Sequence, residues 1–130
     1  MRYQAYQFAS ATGGYLISGD PETWITGIST DTRTIRKGDL FIALKGETFD
    51  GHSFLEKAFA KGACGAVVMD EDMRFPGMIL FVDDTLAALG DIAAWIRGRY
   101  SLSIVGVTGS TGKTTVKEMC ASILSLQGTC

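Results

Sequence analysis

Two kinds of block follow one another along this chain: short apolar runs, and longer stretches with apolar residues three or four apart. The runs at residues 40–44, 66–69 and 78–82 predict strands, and their lack of polar alternation predicts a sheet covered on both faces. Residues 15–18 and 25–30 predict two shorter strands, and residues 3–12 a short helix closed by Gly13 and Gly14. Lys37-Gly38-Asp39 predicts a turn, and residues 46–51 a polar loop. Ser53 predicts an N-cap, with Phe54, Leu55, Ala58 and Phe59 at helical spacing behind it and Gly62 as the stop. Residues 70–77, with Pro76, predict a loop. Asp83-Asp84-Thr85 supplies cap and charge for a helix whose stripe is Leu86, Leu89, Ala93 and Ile96, running to about Arg99. Residues 102–107 predict a further strand, 108–112 a tight loop and 113–126 a helix.

Strands alternating with helices predict an α/β fold with an at least partly parallel sheet. The spacing places a domain boundary near Asp83 and Asp84. Residues 1–83 then form a small N-terminal mixed-sheet domain. Residues 84–130 form the first strand–loop–helix unit of a larger domain, since a segment this short cannot complete a core. The chain is 46% hydrophobic and 20% charged, the balance of a packed protein rather than a disordered one.

Net charge is −2 with no basic run, which argues against a nucleic-acid partner. Cys64, Cys120 and Cys130 are far apart and His52 is the sole histidine, so neither a zinc site nor a disulfide framework is expected. Free thiols, no apolar leader and no run near the roughly 18 residues of a membrane span predict a soluble cytoplasmic chain without a membrane partner.

The strongest chemical signal is Thr108, Gly109, Ser110, Thr111, Gly112, Lys113, Thr114 and Thr115, set between an apolar strand and a helix. Small residues let backbone N–H groups converge on an anion, and the helix start adds partial positive charge. Lys113 would reach the outer phosphates of a nucleotide, and the Thr114 hydroxyl would complete the coordination of Mg²⁺. Val107 stands where the common phosphate-loop pattern has its first glycine. Kinases, GTPases and ligases all use such a loop, so by itself it indicates nucleotide binding and no more.

A second set of motifs narrows the reading. Thr30-Asp31-Thr32-Arg33, Lys37 to Glu47 with Gly38-Asp39-Leu40-Phe41-Ile42-Ala43 at its centre, and Phe49-Asp50-Gly51-His52-Ser53-Phe54 together resemble the N-terminal domain of the peptidoglycan Mur ligases. That family's ATP loop, G-x-x-G-K-[TS], also accommodates Val107. The resemblance extends from about Ile25 to Gly128. It implies a cytoplasmic ATP-dependent carboxylate–amine ligase working through an acyl phosphate, with ATP and Mg²⁺ as cofactors and catalytic roles for Lys113 and Thr114. The exit Lys113-Thr114-Thr115-Val116-Lys117-Glu118-Met119 is most similar to the member that joins D-alanyl-D-alanine to a UDP-N-acetylmuramoyl tripeptide. The member adding the third amino acid is the alternative.

The resemblance further implies that residues 1–83 grip the UDP end of the substrate. Thr30, Thr32, Arg33, Lys45, Gly46, Glu47, Thr48 and Phe49 would carry that contact. Blander roles stand beside these. Arg33 could pair with Asp31 or Asp39, Phe49 could be core, and Asp50-Gly51-His52 could be a mere lead-in to a helix. Trp24 and Trp95 read as packing residues, and Lys117 and Glu118 as a solvated face. The family is monomeric at full length and has three domains. It also carries metal-binding acids, a modified lysine and a closing C-terminal domain that these residues do not include. The expectation is that residues 1–130 alone bind ATP weakly and turn nothing over. A UDP-sugar-binding module without catalysis, or an unrelated kinase or GTPase fragment, are the competing functions.

Overall fold

The structure, a computed structural model, describes residues 2–101 and 103–126. The chain forms two compact units, residues 1–100 and 101–130.

The first unit begins with a short strand β1 (Tyr3–Gln4), then α1 (Ala5–Thr12) and β2 (Tyr15–Ser18). The strands β3 (Trp24–Ile25), β4 (Gly27–Ser29) and β5 (Asp39–Ile42) follow. A 3₁₀ turn (Gly51–Phe54) runs directly into α2 (Leu55–Ala60), and then come β6 (Gly65–Val68), β7 (Met78–Phe81) and α3 (Thr85–Arg97). The main sheet has the order β2-β7-β6-β5-β4; its last four members are parallel, and β2 closes the far edge antiparallel to β7. β1 pairs with β3 in a separate two-stranded ribbon.

Pleating sends successive side chains to opposite faces. Leu40, Ile42, Val67, Met78 and Leu80 face α1 and α3, where they pack with Phe8, Ala88 and Ile92. Phe41, Ala66, Val68 and Ile79 face α2, with Leu55 and Ala58. The unbroken apolar runs are thus the consequence of a sheet with a helical layer on each side.

The structure corrects several expectations. Tyr3 and Gln4 are strand rather than helix, drawn off by pairing with Ile25 and Trp24. Ser53 is not a cap: Asp50 accepts the amide of His52 at 2.9 Å, and the Ser53 hydroxyl donates to the Asp50 carbonyl at 2.8 Å. Asp84 does cap α3, accepting the amides of Leu86 and Ala87 at 2.8 and 3.1 Å. The buried stripe of that helix is Thr85, Ala88 and Ile92, whereas Leu86 is exposed.

The boundary expected at 83/84 lies instead at 100/101, because α3 completes the core of the first unit. The buried Thr85 hydroxyl donates to the Ala43 carbonyl at 3.0 Å. Trp95 packs edge-on against Tyr3 and Phe8, and Arg99 lies 3.8 Å above its ring. Trp24 is half-exposed, with Arg2 over its face.

In the second unit residues 103–107 have no strand pairing among the described residues, and Leu102 lies outside them. A strand is held by its neighbours' hydrogen bonds, and no neighbour is present in the described part of this unit. The helix α4 (Lys113–Leu124) forms as expected, two residues shorter at its end, and exposes Val116, Met119 and Ile123. Cys130 lies outside the described residues, while Cys64 and Cys120 are free thiols. No helix among the described residues is long and apolar enough to cross a membrane.

Candidate functional site

Ligands of open parallel sheets bind beyond the carboxyl ends of the strands. Here that edge carries the segments leaving β4, β5 and β6. A cleft of about 400 Å³ opens between the first two, lined by Thr30, Asp31, Thr32, Arg33, Phe41, Phe49, Phe54 and Lys57.

The β4 exit is a knot of short polar side chains. Ser29 Oγ donates to the Asp31 carbonyl at 2.9 Å and receives the Asp31 amide at 3.2 Å. Asp31 in turn accepts the Arg33 amide at 2.8 Å, and the Thr34 hydroxyl donates to the Asp31 carbonyl at 3.0 Å. Such bonds hold a turn without regular structure. The Arg33 guanidinium folds back so that Nε and Nη2 clasp the Asp31 carboxylate at 2.6–3.0 Å. Hydrogen bonds from the Arg33 side chain, then from its amide, hold the Asp31 pKa down at about 2. The pair is exposed, with Arg33 side-chain accessibility of 83%, so it contributes little to stability and leaves the arginine at the cleft mouth.

The opposite wall comes from the hairpin after β5. Lys45 bridges to Asp50, and the Gly46 amide donates to the Phe49 carbonyl at 2.7 Å. Gly51 anchors the hairpin base on β5. Its amide donates to the Leu44 carbonyl at 2.7 Å, and a Cβ there would stand 2.7 Å from that same oxygen. Phe49 stacks on Phe54, which follows directly in the 3₁₀ turn.

Of the eight residues expected at a UDP site, Thr30, Thr32, Arg33 and Phe49 come together in this cleft. Gly46, Glu47 and Thr48 are exposed on the hairpin and do not line it, and Lys45 faces a separate hollow with Asp50, His52 and Asp70. Arg33 pairs with Asp31, not Asp39; Asp39 is buried and accepts the Arg36 amide at 2.8 Å. The sequence reading missed Lys57 and Phe54 as lining residues. Their i, i+3 spacing puts them on one face of the helical segment, a signal that was present. With Arg33 and Lys57 against Asp31, the lining carries a surplus positive charge suited to a phosphorylated ligand.

In the second unit, Lys113 and Thr114 open α4 beside a hollow of about 320 Å³ that Val105, Val107 and Lys117 also line. Gly112 caps the helix at φ 76°, a left-handed conformation that a side chain disfavours. Among the described residues none of the amides from Gly109 to Gly112 donates to another backbone group. The loop therefore fits a phosphate: donors uncommitted, a helix start behind them, and a lysine beside them. For a metal the fit is partial. Thr114 offers one hydroxyl, and no cluster of three His, Cys, Asp or Glu side chains occurs among the described residues. Mg²⁺ takes most of its near-octahedral shell from oxygens, commonly water and the nucleotide's own phosphates. Thr108, Ser110, Thr111 and Thr115 are exposed around this loop, and Lys117 pairs with Glu118 at 2.8 Å on the solvated face.

Comparison with known proteins adds to this geometry. The model of the Mur ligase family, catalytic domain, matches residues 24–95. The UDP-N-acetylmuramoyl-tripeptide–D-alanyl-D-alanine ligase of Synechocystis is 50% identical over 107 residues, 80% of this chain and 23% of that protein. A solved structure of UDP-N-acetylmuramoylalanyl-D-glutamyl-2,6-diaminopimelate–D-alanyl-D-alanyl ligase from Acinetobacter baumannii superposes with a TM-score of 0.84 at 42% identity, over 96% of this chain and 28% of that one. The MurF ligase of Thermotoga maritima in complex with ADP gives a TM-score of 0.63 at 35% identity, over 75% and 23%. The chain thus spans about a quarter of the length of the relatives it matches.

Proposed function

The chain belongs to the Mur ligase family, and on that premise we propose that it is the leading part of a cytoplasmic ATP-dependent ligase that joins D-alanyl-D-alanine to a UDP-N-acetylmuramoyl tripeptide. The observation that carries the reading is the cleft: two threonines, an arginine, a lysine and an upturned aromatic ring meet at the carboxyl edge of a parallel sheet. The parts suit a uridine diphosphate. Phe49 offers a face for the base, Thr30 and Thr32 offer hydroxyls, and Arg33 and Lys57 offer charge to the diphosphate.

The second unit supplies the other half. The Gly109–Gly112 amides and Lys113 would hold the phosphates of ATP, and the Thr114 hydroxyl would offer one ligand to Mg²⁺, which would supply charge neutralisation at the transferring group. Lys113 would place its positive charge beside the phosphoryl oxygens, favouring transfer of the γ-phosphoryl group to the substrate carboxylate with ADP as the leaving group. The chain spans about a quarter of the relatives it matches, and residues 1–130 by themselves are expected to release no phosphate from ATP.

A chimera tests the reading. In it these residues replace the matching segment of the Synechocystis ligase. Phosphate release that requires both UDP-N-acetylmuramoyl tripeptide and D-alanyl-D-alanine supports the proposal; a folded chimera that hydrolyses ATP without regard to either substrate contradicts it.

A further inference from the structure

His52 lies outside the cleft, yet its ring is almost wholly covered, with a side-chain accessibility of 9%. Both ring nitrogens are engaged. The Met69 amide, just past the end of β6, donates to Nε2 at 2.9 Å, and Nδ1 lies 2.6 Å from Asp50 Oδ1. An amide can only donate, so Nε2 is the bare nitrogen and the ring proton sits on Nδ1, pointing at the carboxylate. The same Asp50 oxygen also accepts the His52 amide at 2.9 Å.

These bonds add to the link made at that edge by the Ala43 amide, which donates to the Val67 carbonyl at 3.1 Å, and they join the two strand ends further out. On one side is the β6 exit. On the other is the hairpin of β5, whose last residue Asp50 bridges to Lys45 and whose Phe49 forms a wall of the cleft. The hairpin residues from Lys45 to Asp50 are all exposed, so apolar burial does little to fix them. The charged groups facing the ring are Lys45, Asp50 and Asp70. Of these charged groups, Asp50 alone bonds to the ring among the described residues, and its carboxyl is held below the usual range by the two bonds from His52.

We propose that His52 is a positioning residue for ligand binding: clamped between the Met69 amide and the Asp50 carboxylate, it holds the hairpin so that Phe49 stands against the cleft. The inference rests on the reading of that cleft as a uridine diphosphate site, but it makes its own demand on the free protein. The ring must be the Nδ1–H tautomer with an acceptor Nε2, and the hairpin must lose order when the ring is removed.

The test has two arms on the full chain. Nitrogen-15 spectra of the His52 ring, with hydrogen exchange at Met69 and across the hairpin, examine the clamp without ligand. Titration with uridine diphosphate examines its consequence. The expected results are a pyridine-type Nε2, a slowly exchanging Met69 amide, and about tenfold weaker uridine diphosphate binding in His52→Ala, the weight of roughly one hydrogen bond. His52→Gln, which restores an acceptor near Nε2, recovers most of that loss. A proton on Nε2, a Met69 amide exchanging as freely as the hairpin tip, or a folded His52→Ala variant binding like the parent would overturn the proposal. If His52→Ala fails to fold, the ring spectrum and His52→Gln still decide. If the parent chain does not bind uridine diphosphate at all, the cleft reading falls, and with it the ligand role assigned to His52.

Discussion

The ring of Phe49 lies over that of Phe54 with centroids 5.3 Å apart and planes inclined by 21°. The contact is asymmetric: Phe49 is 50% exposed, whereas Phe54 is the more covered of the two. A large apolar ring held open beside a basic residue is a stacking platform better than it is a core residue. Phe49→Ala should therefore weaken uridine diphosphate binding by about 1–3 kcal/mol, the range for a base stacked on an aromatic ring. Calorimetric titration measures this. The melting temperature should hardly move, and a large fall in it with unchanged affinity would mean that Phe49 is structural.

Asp31 makes a prediction about pH. Its folded pKa, about 2, lies below the usual carboxylate value because Arg33 donates to the charged form. A depressed pKa stabilises the fold above the ordinary value, and the contribution fades as pH falls from near 4 towards 2. Carbon-detected titration should find Asp31 still largely ionised about one pH unit below the ordinary carboxylate value. Arg33→Gln should raise it part of the way, since the amide of residue 33 still donates to the carboxylate; an Asp31 that titrates in the ordinary range in the parent protein refutes the pair.

The placement of α3 predicts where the chain can be cut. Residues 1–100 should fold cooperatively, and residues 1–83 should not, because removing α3 bares the face carrying Phe8, Ile42 and Leu80. Within the intact chain Ile92→Ala should cost about 2–5 kcal/mol. Thr85→Val leaves the Ala43 carbonyl without its buried donor and should cost about 1–3 kcal/mol. Denaturant unfolding checks each of these; a stable 1–83 fragment would restore the earlier boundary.

The runs at β5, β6 and β7 were legible in the sequence because a doubly covered strand is apolar throughout. Asp84 was legible as a cap because its carboxylate has one nearby use. The Ser53 cap was misread since Asp50, three residues earlier, competes for the same helix entry. The boundary was misplaced because a helix after a strand reads alike whether it packs backward or forward. Thr30, Thr32, Arg33 and Phe49 were found through motif resemblance, and their meeting in one cleft depends on β4 and β5 lying side by side. The double engagement of His52 could not be read at all, since Met69 is far along the chain.

At the second unit, Lys113→Ala should weaken ADP binding by about 1.5–3 kcal/mol, the loss of a charged donor. Gly112→Ala should cost roughly 1–2 kcal/mol in helix-start stability, since Gly112 sits at φ 76°. Fluorescent-nucleotide titration and helix content by circular dichroism report the two effects separately. Unchanged ADP affinity in Lys113→Ala would remove the loop from nucleotide binding.

The most direct measurement maps amide shifts of the nitrogen-15-labelled chain during parallel titrations with uridine diphosphate and ADP. Uridine diphosphate should move Thr30, Thr32, Arg33, Phe49 and Lys57, while ADP at the same concentration moves the residues from Gly109 to Thr114 and spares that cleft. Equal displacement of the cleft residues by both nucleotides, or of neither group by either, would contradict the account.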